Sequence, residues 1–161
     1  MRSTAAEMGR PTILVVEDDE LIRAMASDVL EDAGYDVLAV AAAEDALGLA
    51  VMDVPFDALF TDINLGSGLD GWELADALRE MRPGLPVVYT SGEAINRDPA
   101  GRVEASLFLP KPYNPVALCA LFKGLTGARR PTPVPDLPVR NSPAPEYANR
   151  APGKAELRLI A

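Results

Sequence analysis

The chain has 161 residues, 48% of them apolar, which is enough for one globular domain with length to spare, and its lone Cys119 excludes an internal disulfide. No apolar run approaches the ~18 residues that cross a bilayer, and the opening MRSTAAEMGR lacks the apolar stretch of a signal peptide, so a soluble, cytoplasmic protein without membrane contact is expected. Charge is uneven: residues 12–126 carry 20 Asp and Glu against 7 Lys and Arg, residues 127–161 carry 3 against 6, and so acidic a domain argues against direct nucleic-acid binding.

From Pro11 onward, short apolar runs alternate with amphipathic stretches, the pattern of a parallel sheet with crossover helices. "TILVV" (12–16) reads as a central strand buried on both faces. Leu21, Ile22, Met25, Ala26, Val29 and Leu30 then recur at helical spacing, and Gly34 stands where a helix C-cap belongs. "YDVLAV" predicts a strand, Glu44 to Met52 a helix, "FDALFTD" a strand, and Gly71 to Met81 a helix stopped by Pro83-Gly84. "PVVYTS" and "SLFLP" are two further strands, and Asn114-Pro115 opens a last helix carrying Val116, Leu118, Leu121, Phe122 and Leu125. Between those strands a fourth helix, placed somewhere in Ala94 to Glu104, has Pro99 and Gly101 inside it and is expected to be short or mobile.

Three regions follow: an N-terminal extension over 1–11, a domain over 12–126, and a C-terminal tail over 127–161. The tail holds seven of the fifteen prolines and no sustained apolar period, the composition of a disordered or polyproline-like segment. After Leu125 there is no helix-turn-helix pattern and no catalytic module.

In open parallel sheets, sites form outside the carboxyl ends of the strands. Strand one ends in Glu17, Asp18, Asp19 and Glu20; strand three in Asp62; strand four in Thr90 and Ser91; strand five in Leu109-Pro110-Lys111-Pro112. If strands one and three are neighbours, as in the order 2-1-3-4-5, carboxylates face one another across a small gap and repel by roughly 4 kcal/mol at 4 Å and an effective dielectric of 20. Such a cluster calls for a cation. With no histidine in the chain, the all-oxygen donor set suits Mg²⁺, which keeps several waters and accepts a phosphate oxygen as a further ligand. Lys111 and Thr90 add an ammonium and a hydroxyl, completing what is needed to place a phosphoryl group on an aspartate. Taken singly, each feature has a plainer role: Asp18 and Asp19 suit a helix N-cap, Thr90 suits a strand, and Lys111 suits solvated surface.

In order and spacing, "ILVVEDDE", "FTDINL", "VVYTSG" and "FLPKPY" resemble the receiver domains of bacterial two-component response regulators over about residues 12–126. The resemblance implies a doubly wound α/β fold, a five-stranded parallel sheet in the flavodoxin-like order 2-1-3-4-5 with helices on both faces. It also implies Asp62 as phosphoacceptor, Asp18 as a direct Mg²⁺ ligand, Glu17 acting through water, and the Asn64 backbone carbonyl completing the metal site. Thr90 matches the switch hydroxyl, Phe108 the aromatic rotamer switch and Lys111 the phosphate-pairing lysine, with Lys111-Pro112 a candidate cis bond. The implied partners are a sensor histidine kinase or histidine phosphotransferase and a downstream protein, with the chain a monomer or a phosphorylation-dependent homodimer. Two departures stand out: Gly66 occupies a position where proline is common, and the loop after Asp62 is one residue longer than the commonest form.

Rival readings are an aspartate-nucleophile phosphatase or phosphotransferase of a related fold, and a receiver-like interaction module that is never phosphorylated. The haloacid dehalogenase type has a second aspartate two residues after its nucleophile, where this chain has Asn64. "DINLGSGLDG" also contains a literal G-x-G-x-x-G in Gly66, Gly68 and Gly71. A dinucleotide loop would follow the first strand, whereas this one follows the third, beside Asp62 and ahead of bulky Trp72, so no nucleotide cofactor is expected. The glycines read instead as a pliable lid beside the aspartate.

Overall fold

The structure is a computed structural model that describes residues 9–93 and 103–126. Five parallel strands, β1 (Thr12–Val16), β2 (Asp36–Val40), β3 (Ala58–Asp62), β4 (Val87–Ser91) and β5 (Leu107–Pro110), form one sheet in the order β2-β1-β3-β4-β5. Helices α1 (Glu20–Asp32) and α4 (Pro115–Thr126) cover one face; α2 (Ala43–Val51) and α3 (Gly71–Met81) cover the other. This is the predicted doubly wound architecture, with β1 as expected and the starts of β2 to β5 moved inward by a residue or two. The N-terminal extension up to residue 8, the tail over 127–161, and positions 94–102 of the predicted fourth helix lie outside the described residues. Of that helix, only the end is described, and Glu104-Ala105 form a turn.

The period of two along each strand divides the apolar residues between the faces. Ile13, Val15, Ala58, Phe60, Val88 and Leu109 pack with Ala26, Leu30, Leu118 and Phe122 of α1 and α4. Leu14, Val16, Leu59, Val87 and Tyr89 pack with Ala46, Trp72, Leu74 and Leu78 of α2 and α3. Leu30, Leu118 and Phe122 are wholly buried, each stabilising the fold by roughly 1.5–3 kcal/mol relative to exposure.

The starts of α1, α3 and α4 are fixed by side chains. Asp19 caps α1, accepting from the amides of Leu21 at 2.9 Å and Ile22 at 3.0 Å. Asp70 and Glu73 make a reciprocal capping box at the start of α3. Asn114 caps α4, accepting from the Val116 amide at 2.8 Å. Each cap sets the angle at which a loop leaves the carboxyl rim, and so fixes where that loop's functional side chains stand.

Candidate phosphoacceptor site

Continuing the strand alternation past the strand ends places Glu17, Asp62, Thr90 and Lys111 in phase with Ile13 and Val15, Ala58 and Phe60, Val88, and Leu109 respectively. All four therefore lie on the α1/α4 side of the rim. Asp62 and Thr90 are register partners on adjacent strands. Glu17 is 4% exposed, Asp62 6% and Thr90 1%, whereas Asp18 is exposed.

One lysine holds the centre. Lys111 Nζ lies 2.7 Å from Glu17 Oε2 and 2.7 Å from Asp62 Oδ2, donating to both. The cis Lys111-Pro112 bond anticipated from sequence is present, and the Lys111 amide donates to the Ser91 carbonyl at 2.9 Å. One carboxylate oxygen from each of Glu17, Asp18 and Asp62 lies within 4.8 Å of the others. A set of hard oxygen donors with one exposed member fits a hydrated divalent cation such as Mg²⁺ better than a softer metal.

Burial raises the Glu17 carboxyl most; the Lys111 hydrogen bond opposes it and the Asp62 charge adds to it, leaving the group at about 7. Burial pulls the Lys111 ammonium down, but its hydrogen bonds to Asp62 and Glu17, with their charges, outweigh this and raise it above the ordinary lysine range. The site therefore balances two buried acids against one ammonium. Thr90 Oγ1 is buried with no hydrogen-bond partner among the described residues, a cost that a strand threonine rarely bears.

The remaining expected residues stand around this cluster. Asn64 donates its amide to Asp62 Oδ1 at 3.1 Å. Phe108 is half-buried on β5, opposite Tyr89 in register, and packs with the α2/α3 core. It is thus on the other face of the sheet from Thr90. Asp19, grouped with the acids in the sequence, is occupied as the α1 cap.

Three contributors were not apparent from sequence. Arg23 on α1 reaches back, its Nη1 donating to the Glu17 carbonyl at 2.8 Å and the Asp18 carbonyl at 3.4 Å. Gly71 donates its amide to the Ile63 carbonyl at 2.8 Å, and a Cβ there would collide with the Asp62 carbonyl oxygen. Only glycine lets α3 start against the backbone of Asp62. Tyr113 packs edge-on against Phe60 at 5.7 Å, and burial, then the Glu17 charge, pushes its hydroxyl up to about 12.

A 2-1-3-4-5 parallel sheet with an acid pair, a third carboxylate, a hydroxyl and a lysine at its carboxyl rim defines a receiver-type domain. The family model described as response regulator receiver domain matches residues 13–123. The chain belongs to this family. It is 34% identical over 134 residues to the response regulator protein FleR of Pseudomonas aeruginosa, a match covering 82% of this chain and 28% of FleR. The chain thus spans little more than a quarter of that relative's length. A solved response regulator receiver protein from Sinorhizobium medicae WSM419 is 31% identical with a TM-score of 0.72, covering 75% of this chain and 98% of that one. The chemotaxis response regulator CheY4 of Vibrio cholerae is 28% identical with a TM-score of 0.62, covering 72% and 98%. No helix among the described residues is long and apolar enough to cross a membrane.

Proposed function

We propose that the domain over residues 12–126 is a cytoplasmic phosphorylation switch that takes a phosphoryl group onto Asp62 from a phosphohistidine of a sensor kinase or phosphotransferase. The observation that carries this reading is the shared grip of Lys111 Nζ on Glu17 and Asp62, 2.7 Å from each. It marks one buried point where a carboxylate nucleophile and a mobile positive charge meet.

In the transfer, an Asp62 carboxylate oxygen bonds to phosphorus as the P–N bond to the donor imidazole breaks and the nitrogen keeps the electron pair. Lys111 exchanges a carboxylate partner for a phosphoryl oxygen, and the unpartnered Thr90 hydroxyl turns to donate to another. Asp18 and Asp62 with the Asn64 carbonyl would hold Mg²⁺ directly, Glu17 through water; when bound, the ion offsets the negative charge of the phosphoryl group. Phe108 turns inward as Thr90 moves, changing the face formed by β5 and α4. Output passes to a protein partner or by onward phosphotransfer, from a monomer or a phosphorylation-dependent homodimer. The chain assists its own phosphorylation and dephosphorylation and turns over no other substrate.

Incubation with a small phosphodonor and Mg²⁺, followed by intact mass measurement, tests the reading. One phosphoryl adduct on the wild type and none on Asp62→Asn is the expected result. An adduct persisting on Asp62→Asn removes the assignment of Asp62, and rapid turnover of many small phosphoesters makes the protein an enzyme instead.

A further inference from the structure

The glycine-rich loop between β3 and α3 departs most from the family pattern, and its contacts give it a specific anchor. At one end the Asn64 amide is tied to Asp62; at the other, Asp70 and Gly71 are fixed by the capping box and by the Ile63 carbonyl. Between them the backbone passes the acidic cluster: a Cβ on Gly66 would stand 3.6 Å from Asp18 Oδ2. Two residues later Gly68 has φ +107°, and a Cβ there would run into the carboxylate of Glu44. That carboxylate accepts the Leu69 amide at 2.9 Å.

Glu44 comes from the first turn of α2, 25 residues away in sequence. Its own helix does not use it as a cap, since the cap residue is Ala42 with no side-chain bond. Among the described residues, the polar contact of this carboxylate is with the loop. Glycine at 68 is favoured by its backbone angle, and the Glu44 carboxylate lies directly beside it. The loop that composition marks as a pliable lid is pinned at its middle.

We infer that Glu44 is a positioning residue for the phosphoacceptor site: by clamping Gly68-Leu69 it holds the loop along Asp18 and sets how well the acidic cluster binds a divalent cation. The inference rests on the proposed function for its significance, but its geometry does not depend on phosphorylation. Releasing the clamp lets residues 65–69 move from Asp18 and loosens the segment that follows Asn64, the loop residue whose carbonyl is proposed to face the cation.

Two substitutions separate the hydrogen bond from the charge. Glu44→Gln and Glu44→Ala lose the same charge, but only Gln keeps an oxygen that can accept the Leu69 amide. Amide hydrogen exchange at Leu69 and Mg²⁺ affinity by calorimetry are measured on the unphosphorylated chain, with thermal unfolding confirming that both variants fold. In Glu44→Ala, Leu69 exchange should rise about fivefold and Mg²⁺ binding weaken about threefold, the scale of one exposed charge-assisted hydrogen bond, whereas Glu44→Gln should stay nearer to wild type. Unchanged Mg²⁺ affinity in Glu44→Ala overturns the inference, as does a Gln variant as impaired as Ala. A wild type that binds Mg²⁺ but takes no phosphoryl group would overturn the switch and leave the clamp standing.

Discussion

The two rims of the sheet use charged side chains in opposite ways. At the amino rim, apart from a 3.8 Å approach of Arg82 to the exposed Asp53, charges end on backbone groups that need partners. Asp57 Oδ2 accepts the Thr12 amide at 2.7 Å, and Arg79 donates to the Leu85 carbonyl at 2.7 Å and the Glu104 carbonyl at 2.9 Å. Arg82 donates to the Val54 carbonyl at 2.9 Å while its guanidinium lies 4.0 Å over the Phe56 ring. At the carboxyl rim, acids face acids across one ammonium and a buried hydroxyl has no partner among the described residues. The first arrangement satisfies polar groups and closes loops; the second leaves interactions incomplete, and such local exceptions gather at functional sites. Substitutions at the amino rim should therefore change stability alone, whereas those at the carboxyl rim should reach phosphoryl chemistry as well.

The largest stability effect is expected from Lys111→Met. Removing the ammonium shared by Glu17 and Asp62 leaves two buried carboxylates facing each other, and breaking a buried pair in this way costs about 4 kcal/mol at mildly alkaline pH. Denaturant unfolding in magnesium-free buffer measures it; a loss below about 1 kcal/mol would mean that the rim relaxes and that Lys111 is not its electrostatic keystone.

The pH dependence follows from Glu17. Its carboxyl lies at about 7 in the folded chain against an ordinary 4.5. The folded state therefore holds the proton more tightly, and this contribution is complete below 4.5 and lost as pH rises through about 7. Across that window the magnesium-free protein should lose on the order of 3 kcal/mol, each pKa unit corresponding to roughly 1.4 kcal/mol. Glu17→Gln should flatten that part of the profile. A slope unchanged by the substitution would place the titration elsewhere.

Arg82→Ala probes the opposite rim. Loss of its carbonyl hydrogen bonds and its stacking on Phe56 should lower stability by about 2 kcal/mol. The yield of phosphoryl adduct, measured by intact mass at a temperature where the variant is folded, should equal that of the wild type. A matching drop in adduct would erase the distinction between the rims.

Most of the fold was legible because each strand announced itself by a short apolar run and each helix by its period. The site was legible because its residues fall at strand ends, where spacing along the chain converts directly into proximity on the rim. What escaped notice depends on partners remote in sequence or on backbone proximity. Glu44 looks like any solvated acid on a helix until the loop folds against it, and Arg23 like any helix-surface cation until it turns back to two carbonyls. Asp70 and Glu73 have capping-box spacing, but glycines flank Asp70 and the composition there is that of a pliable loop. Gly71 was visible as a glycine, yet nothing along the chain shows that its missing side chain makes room for the Asp62 backbone.

Thr90→Val should have the smallest effect on stability and so gives the sharpest separation. Valine keeps the β-branched shape that suits a strand, and the hydroxyl it removes has no partner among the described residues to leave stranded. Stability should change by no more than about 0.5 kcal/mol, in either direction, because removing an unsatisfied buried polar group offsets the small loss of packing. Asp62 should still accept a phosphoryl group, since the nucleophile and Lys111 remain. The conformational response to that group should fall, because the donor proposed to follow it is gone, and this can be followed as the change in Phe108 environment on phosphorylation. A large loss of stability would show that the hydroxyl serves the resting fold. An undiminished response in a stable Thr90→Val variant would instead mean that Phe108 is moved by another route, and that the hydroxyl plays no part in the switch.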